Sequence, residues 1–179
     1  QVLADEHGLL FTLYRGTSDM PHGHPYAFVH TLDLFDGVWC LDLPPAMRLE
    51  ELPGALAVGG DRLYVASANG LVGAFDIANI REPQGSVEML WVAELPNAGG
   101  HERPAIAAGP DGAVVAFPSM SGLHRVAPDG TVLESTVFDD GTEAIAVADG
   151  TTYAVGDAWM LPGERPDWLG EVTRLVPLP

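Results

Sequence analysis

The residues best suited to chemistry crowd into one stretch, Gly16 to Pro25 (GTSDMPHGHP), which carries Met20, His22 and His24. Two imidazoles at i and i+2, with a thioether two residues before the first, are a donor set suited to copper, or to zinc once a carboxylate such as Asp19 joins them. His101, in PNAGGHERP, completes such a site only where the segments around residues 20 and 101 meet across an axis. The plainer reading is a polar loop whose histidines face solvent. A second stretch, Gly156 to Gly170, holds Trp159, Met160 and Trp168. These cover an exposed blade edge, or pack as the loop's own core, or form a ligand or partner surface, since exposed aromatic side chains concentrate binding energy.

Other candidates are weaker. Asp139 and Asp140 offer clustered oxygens of the kind calcium takes, but acidic residues at turns need no metal to explain them. Cys40 is the only cysteine, so no intrachain disulfide forms; its neighbours Val38, Trp39 and Leu41 suggest a buried small hydrophobe. His7 is expected in a turn, and His124 and Arg125 on a strand. There is no G-x-S-x-G elbow, no phosphate-binding glycine loop before a helix, no H-E-x-x-H and no cysteine pair.

The elements that position these residues repeat. Ala55 to Ile77 (ALAVGGDRLYVASANGLVGAFDI) reads as strand, Gly-Gly-Asp turn, strand, Asn-Gly turn, strand. An offset of 50 carries Asp61 onto Asp111 and Ala55-Leu56 onto Ala105-Ile106; a further 39 carries them onto Ala144-Ile145 and Val114 onto Tyr153. Going back by 104 places Ile106 on Val2 and Asp111-Gly112 on His7-Gly8. Four units of three or four strands emerge, about 1–44, 53–96, 104–138 and 143–179. Trp39 and Trp91 share a Trp-x-x-acid-Leu-Pro pattern at the end of the first two. No amphipathic helix competes; only Pro45 to Leu52 suits a helical turn. Repeats of this length with four strands each predict an all-β fold, a β-propeller built of four-stranded antiparallel blades, about four in this chain, as a partial or a four-bladed ring.

The repeat resembles that of YVTN-type and NHL-like β-propellers, in which an apolar strand and a turn precede a Leu-Tyr-Val-Ala core strand followed by Val-x-x-x-Asp. The match is clear over Ala55 to Asn79, fair over Ala105 to Gly130 and weak in the first and fourth units. The resemblance implies a fold and not an activity, since such propellers serve as surface-layer proteins, binding scaffolds and quinoprotein subunits.

Strands of a blade alternate in direction, so its loops divide between two faces. The turns between first and second strands are terse (HG, GGD, PDG, ADG), while Gly16–Pro25, Pro44–Pro53, Pro96–Pro104 and Gly156–Gly170 gather on the opposite face; one long loop, Ala78 to Ser86, breaks the pattern on the terse-turn face. Long loops on a rigid scaffold are where binding residues concentrate. The expected function is a noncatalytic binding or scaffold module using that long-loop face for a protein, glycan or small ligand, in an extracytoplasmic or secreted setting. Met20, His22, His24, His101, Trp159 and Trp168 are its candidate contacts. The alternative is a lactonase-like, metal- or quinone-dependent enzyme with His22, His24 and His101 at the channel mouth. No cofactor is expected under the first reading; copper, zinc or calcium belongs to the second.

Composition limits the partners. The 179 residues are 47% hydrophobic and carry a formal charge of −17, with eight arginines and no lysine. That charge repels nucleic acid and anionic membrane surfaces. No apolar run is long enough to span a bilayer as a helix, so membrane insertion is not expected. Unpaired blade edges at the ends of the array favour a protein partner or self-association.

Overall fold

The central strands of the blades explain the repeat. The structure is a computed structural model and describes residues 1–15, 27–33, 37–78, 80, 89–117, 122–137, 142–148 and 151–156. In the second blade, β5 (Gly54–Gly59), β6 (Arg62–Ser67), β7 (Leu71–Asp76) and β8 (Trp91–Glu94) form an antiparallel sheet in chain order; these labels follow all strands in sequence. Every residue of β6 from Leu63 to Ser67 is buried. A strand covered on both faces reads as a continuous apolar run, not as an alternation. Leu63 and Val65 pack towards the preceding blade, and Tyr64 and Ala66 towards the following one. On the outer strand β8 burial alternates again, because only one face is covered.

The other blades follow the same plan. The first contains β1 (Val2–Ala4), β2 (Leu9–Tyr14), β3 (Phe28–Asp33) and β4 (Val38–Asp42), and the third β9 (Ala105–Gly109), β10 (Gly112–Phe117), β11 (Gly122–Val126) and β12 (Val132–Val137). In the fourth, β13 (Thr142–Ala148) pairs with β14 (Thr151–Gly156); the rest of the unit expected over 143–179 lies outside the described residues. The first strands of successive sheets stand side by side, β1 beside β5, β5 beside β9 and β9 beside β13. Up-and-down sheets whose first strands line a common axis make an all-β, propeller-type architecture.

Blade contacts are apolar. Leu9, Phe11, Val29 and Leu41 of the first blade meet Leu63, Val65, Phe75 and Ile77 of the second. Between the second and third, Ala66, Val72 and Leu95 meet Val115, Phe117 and Val126. Burying one such side chain contributes roughly 1.5–3 kcal/mol. Gly59 sets the spacing at the axis: a Cβ there would fall 2.5 Å from the Gly109 carbonyl oxygen. The connector after β4 contains a 3-10 turn, Pro45–Met47, within the segment expected to be helical. Asn69 Nδ2 donates to the Ala46 carbonyl at 2.8 Å, and the Gly100 N–H donates to the Ala68 carbonyl at 2.6 Å. The short turn at Ser67–Gly70 therefore holds the connectors on both sides of its blade.

Two expectations are corrected. Cys40 is exposed, not buried. On β4 the residues Val38, Cys40 and Asp42 face outward, while Leu41 is buried and Trp39 half-buried; apolar neighbours say nothing about which face of an outer strand a residue occupies. The register of the first unit is also shifted. Leu9 pairs with Ala4 and Asp33 as Arg62 pairs with Gly59 and Asp76, so Phe11 is the counterpart of Tyr64 and Val2 that of Ala57. The link from β1 to β2 contains a 3-10 turn, Asp5–His7, followed by Gly8, where β5 and β6 are joined by Gly60 and Asp61 alone. An ungapped offset divides that difference between the two strands. Each is then displaced by one residue, which exchanges its faces.

Candidate functional site

The first strands of the four blades stand in succession, β1 beside β5, β5 beside β9 and β9 beside β13, and a cavity lies at each end of them. At the end of the terse turns the cavity measures about 500 Å³ and is lined by β1, β5, β9 and β13 and the turns that follow them. Its walls are small residues and backbone, including Gly59, Gly60, Ala108 and Gly109, with Val58 and Val147 as the larger apolar surfaces. The rim carries Asp5, Glu6 and His7. The 3-10 turn Asp5–His7 brings these three residues to it.

His7 is tied to that neighbouring turn. Its Nε2 lies 3.2 Å from Asp61 Oδ1, with the imidazole largely covered and the carboxylate two-thirds exposed. The pair joins the first and second blades across the mouth. The rim is therefore acidic, with Asp5 and Glu6 exposed beside it. Carboxylates above an apolar, backbone-walled recess are suited to a small ligand with a cationic head and a compact apolar body.

The opposite mouth measures about 340 Å³ and is lined by Ala55, Leu56, Arg103, Pro104, Ala105, Ile106, Ala144 and Ile145, at the starts of β5, β9 and β13. This is the end expected to carry the working loops. His101 is exposed on the connector that leads to Arg103 and Pro104. Met20, His22, His24, Trp159 and Trp168 lie outside the described residues, as do Met160, Asp139 and Asp140. Among the described residues no group of three or more His, Cys, Asp or Glu side chains is placed to hold a metal ion.

The remaining histidines belong to the sheets. His30 sits on β3, tilted against Tyr14 at 5.8 Å between ring centroids. His124 is buried on β11, its Nδ1 2.9 Å from Ser135 Oγ and its ring edge-on to Phe117. Burial holds its pKa below the ordinary histidine value, so it is neutral at pH 7. His124 shares a face with Val115, towards the second blade. Cys40, on the outermost strand, has its thiol pKa raised by partial burial and then by the Asp42 carboxylate, which leaves it a poor nucleophile.

Comparisons with known proteins add a likeness of shape. No family model matches the chain, and no curated protein matches it. Among solved structures it is similar to the glutaminyl cyclase of Myxococcus xanthus. The match has 17% identity and a TM-score of 0.44, over 74% of this chain and 53% of that one. The chain thus spans about half the length of the structure it matches.

From sequence His7 was expected only to sit in a turn and Asp61 only marked the repeat, and Glu6 was not singled out. They sit in the shortest turns, and the cavity beside them is produced by the number and spacing of the innermost strands. The signal in the sequence is the Gly- and Ala-rich character of those strands, GALAVG and AIAAG.

Proposed function

We propose that the chain is a noncatalytic β-propeller binding module whose ligand enters the axial channel, and that at the terse-turn mouth this ligand is a small organic cation. The observation that carries the reading is the cavity of about 500 Å³ beneath Asp5, Glu6 and the His7–Asp61 pair. That volume is within the range of small-molecule sites. An extracytoplasmic or secreted setting belongs to the same reading. Met20, His22, His24, His101, Trp159 and Trp168 are proposed contacts for a protein or glycan at the other mouth.

Isothermal titration with amino acid amides, primary amines and carboxylate controls tests the site. Cations bind, carboxylates do not, and Asp61→Asn with Glu6→Gln weakens the cations at least several-fold. Equal binding of both classes, or no effect of the double substitution, overturns the assignment. Stoichiometric copper or zinc in the purified protein, lost in His22→Ala/His24→Ala, would replace this reading with the metal-dependent one.

A further inference from the structure

At the mouth of about 340 Å³ the repeat is its own control for which residues the fold requires. The pairs Ala55–Ala66, Ala105–Ala116 and Ala144–Val155 are equivalent in the second, third and fourth blades. Two residues before each first-strand alanine stand Pro53, Arg103 and Thr142. Uncharged residues serve at this position in the neighbouring blades, so the architecture does not require the arginine. Pro104, which is buried, disfavours helical backbone at Arg103 and fixes where its side chain departs at the start of β9. The chain has 25 acidic residues against eight arginines, and Arg48 is paired with Glu51 and Arg62 with Asp76. Arg103 lines the cavity, and among the described residues it has neither an ion pair nor a hydrogen bond, although Glu102 is next to it in sequence.

The other donors are backbone. Among the described residues β5, β9 and β13 are edge strands of their sheets. In an antiparallel pair only alternate residues of an edge strand exchange hydrogen bonds with the neighbouring strand, and the residues between them turn both N–H and C=O away from it. The phase in β5 is fixed by the Ala68 N–H, which donates to the Pro53 carbonyl oxygen at 2.9 Å. Ala55, Ala57 and Gly59 are therefore on the bonded side, and Leu56 falls between them. Gly109–Gly112 and Ala148–Thr151, like Gly59–Arg62, are the last pairs before a link of two residues. The same phase thus holds in β9 and β13 and turns the N–H groups of Ile106 and Ile145 outward. Leu56, Ile106 and Ile145 all line this cavity, so three outward N–H groups and a guanidinium border one mouth, with three carbonyl oxygens beside them.

We propose that this mouth binds the sulfate group of a small sulfated saccharide. A tetrahedral oxyanion of this kind presents three terminal oxygens, enough to accept from strand edges on several sides and from the fork of Arg103 at once, whereas a planar carboxylate presents two. Arg103 supplies one positive charge within a protein of formal charge −17, which selects against a second negative charge on the ligand. A sulfate ester carries one, where a phosphate monoester at pH 7 carries about 1.5 to 2. The carbonyl oxygens of Leu56, Ile106 and Ile145, turned the same way as their N–H groups, accept from the hydroxyl groups of the sugar. The inference rests on the reading of this mouth as a glycan-binding end and is separate from the cation site at the other.

Isothermal titration with four sugars that differ at one position tests the proposal: glucose sulfated at its primary hydroxyl, glucose phosphorylated there, glucuronate, which has a carboxylate there, and glucose itself. The sulfated sugar binds most tightly. Arg103→Gln weakens it about tenfold or more, and Arg103→Lys, which keeps the charge without the planar fork, weakens it less. Arg103 is exposed, so both variants unfold cooperatively near the urea midpoint of the parent. Glu6→Gln/Asp61→Asn, at the other mouth, leaves the sulfated sugar bound. Glucose that binds as tightly as its sulfate overturns the inference while leaving glycan binding at this mouth standing. The inference also falls if the phosphate ester or glucuronate binds more tightly than the sulfate, if Arg103→Gln has no effect, or if none of the four sugars binds.

Discussion

The indole N–H of Trp91 donates to the carbonyl oxygen of Pro128 at 2.9 Å, so the outer strand of the second blade holds the turn between β11 and β12 of the third. The turn is shaped to receive it. Gly130, at φ +90°, lies flat against the ring, where a Cβ would fall 2.7 Å from Trp91 Cδ2. Gly130→Ala is expected to destabilise by about 1–3 kcal/mol, through overpacking and a backbone conformation that alanine resists. Trp91→Phe loses the hydrogen bond, about 0.5–1.5 kcal/mol, together with part of the packing. Urea midpoints measure both, and a Gly130→Ala midpoint equal to that of the parent would show that the turn is not wedged against the ring.

Tyr64 is fully buried, and its hydroxyl has no hydrogen-bond partner among the described residues. An unsatisfied buried hydroxyl costs about 1–3 kcal/mol relative to a satisfied one. Tyr64→Phe removes the polar atom while keeping the ring against Trp91, whose centroid lies 6.1 Å away. The variant should be as stable as the parent or more so, by up to about 1 kcal/mol. Tyr64→Ala, which opens a cavity between two blades, should cost about 3–5 kcal/mol by comparison with other aromatic truncations. Equilibrium unfolding of the pair decides the matter: a large loss in Tyr64→Phe means that the hydroxyl is bonded.

The blades were legible because their central strands are covered on both faces. Leu63–Ser67 and Gly112–Phe117 read as unbroken apolar runs bounded by turn residues, and the observed strands begin and end within a few residues of those expected. Outer strands were less so. Cys40 was misread because a strand with one covered face alternates, and its phase is set by the partner strand, through His30 opposite Cys40. The site was hidden for a different reason. His7 and Asp61 are 54 residues apart in unremarkable turns, and they meet only because the inner strands stand side by side. Chemistry-bearing residue types led instead to the loop of Met20, His22 and His24.

Gly59 tests the axis itself. A methyl group there meets the backbone of Gly109, with the nitrogen 2.6 Å and the carbonyl oxygen 2.5 Å from an added Cβ. Backbone cannot rotate away as a side chain would, so Gly59→Ala must separate β5 from β9. The expected loss is about 1–3 kcal/mol. Because Gly59 also lines the cavity, cation binding should weaken in the same variant even where it remains folded. Gly60→Ala, at an open turn position where an added Cβ would lie 3.8 Å from Pro110 Cα, is the control for strain alone, since its φ of +55° disfavours alanine without a clash. Stability that falls equally in both variants would remove close approach as the cause.

His124 makes the fold sensitive to mild acid. Burial depresses its pKa in the folded state, whereas in the unfolded chain it titrates near 6.5. Between the two values the unfolded state binds more protons, so stability rises with pH there. The contribution is fully present above about pH 6.5 and is lost progressively as pH falls from there towards the depressed folded value. His124→Leu keeps an apolar side chain beside Phe117 and removes the titration, leaving Ser135, which is exposed, free to bond to water. The slope of unfolding free energy against pH between about 6.5 and 5 should therefore be shallower in His124→Leu than in the parent, whatever the two stabilities at pH 8. Parallel curves across that window would mean that His124 takes up its proton as readily in the folded protein as in the unfolded chain.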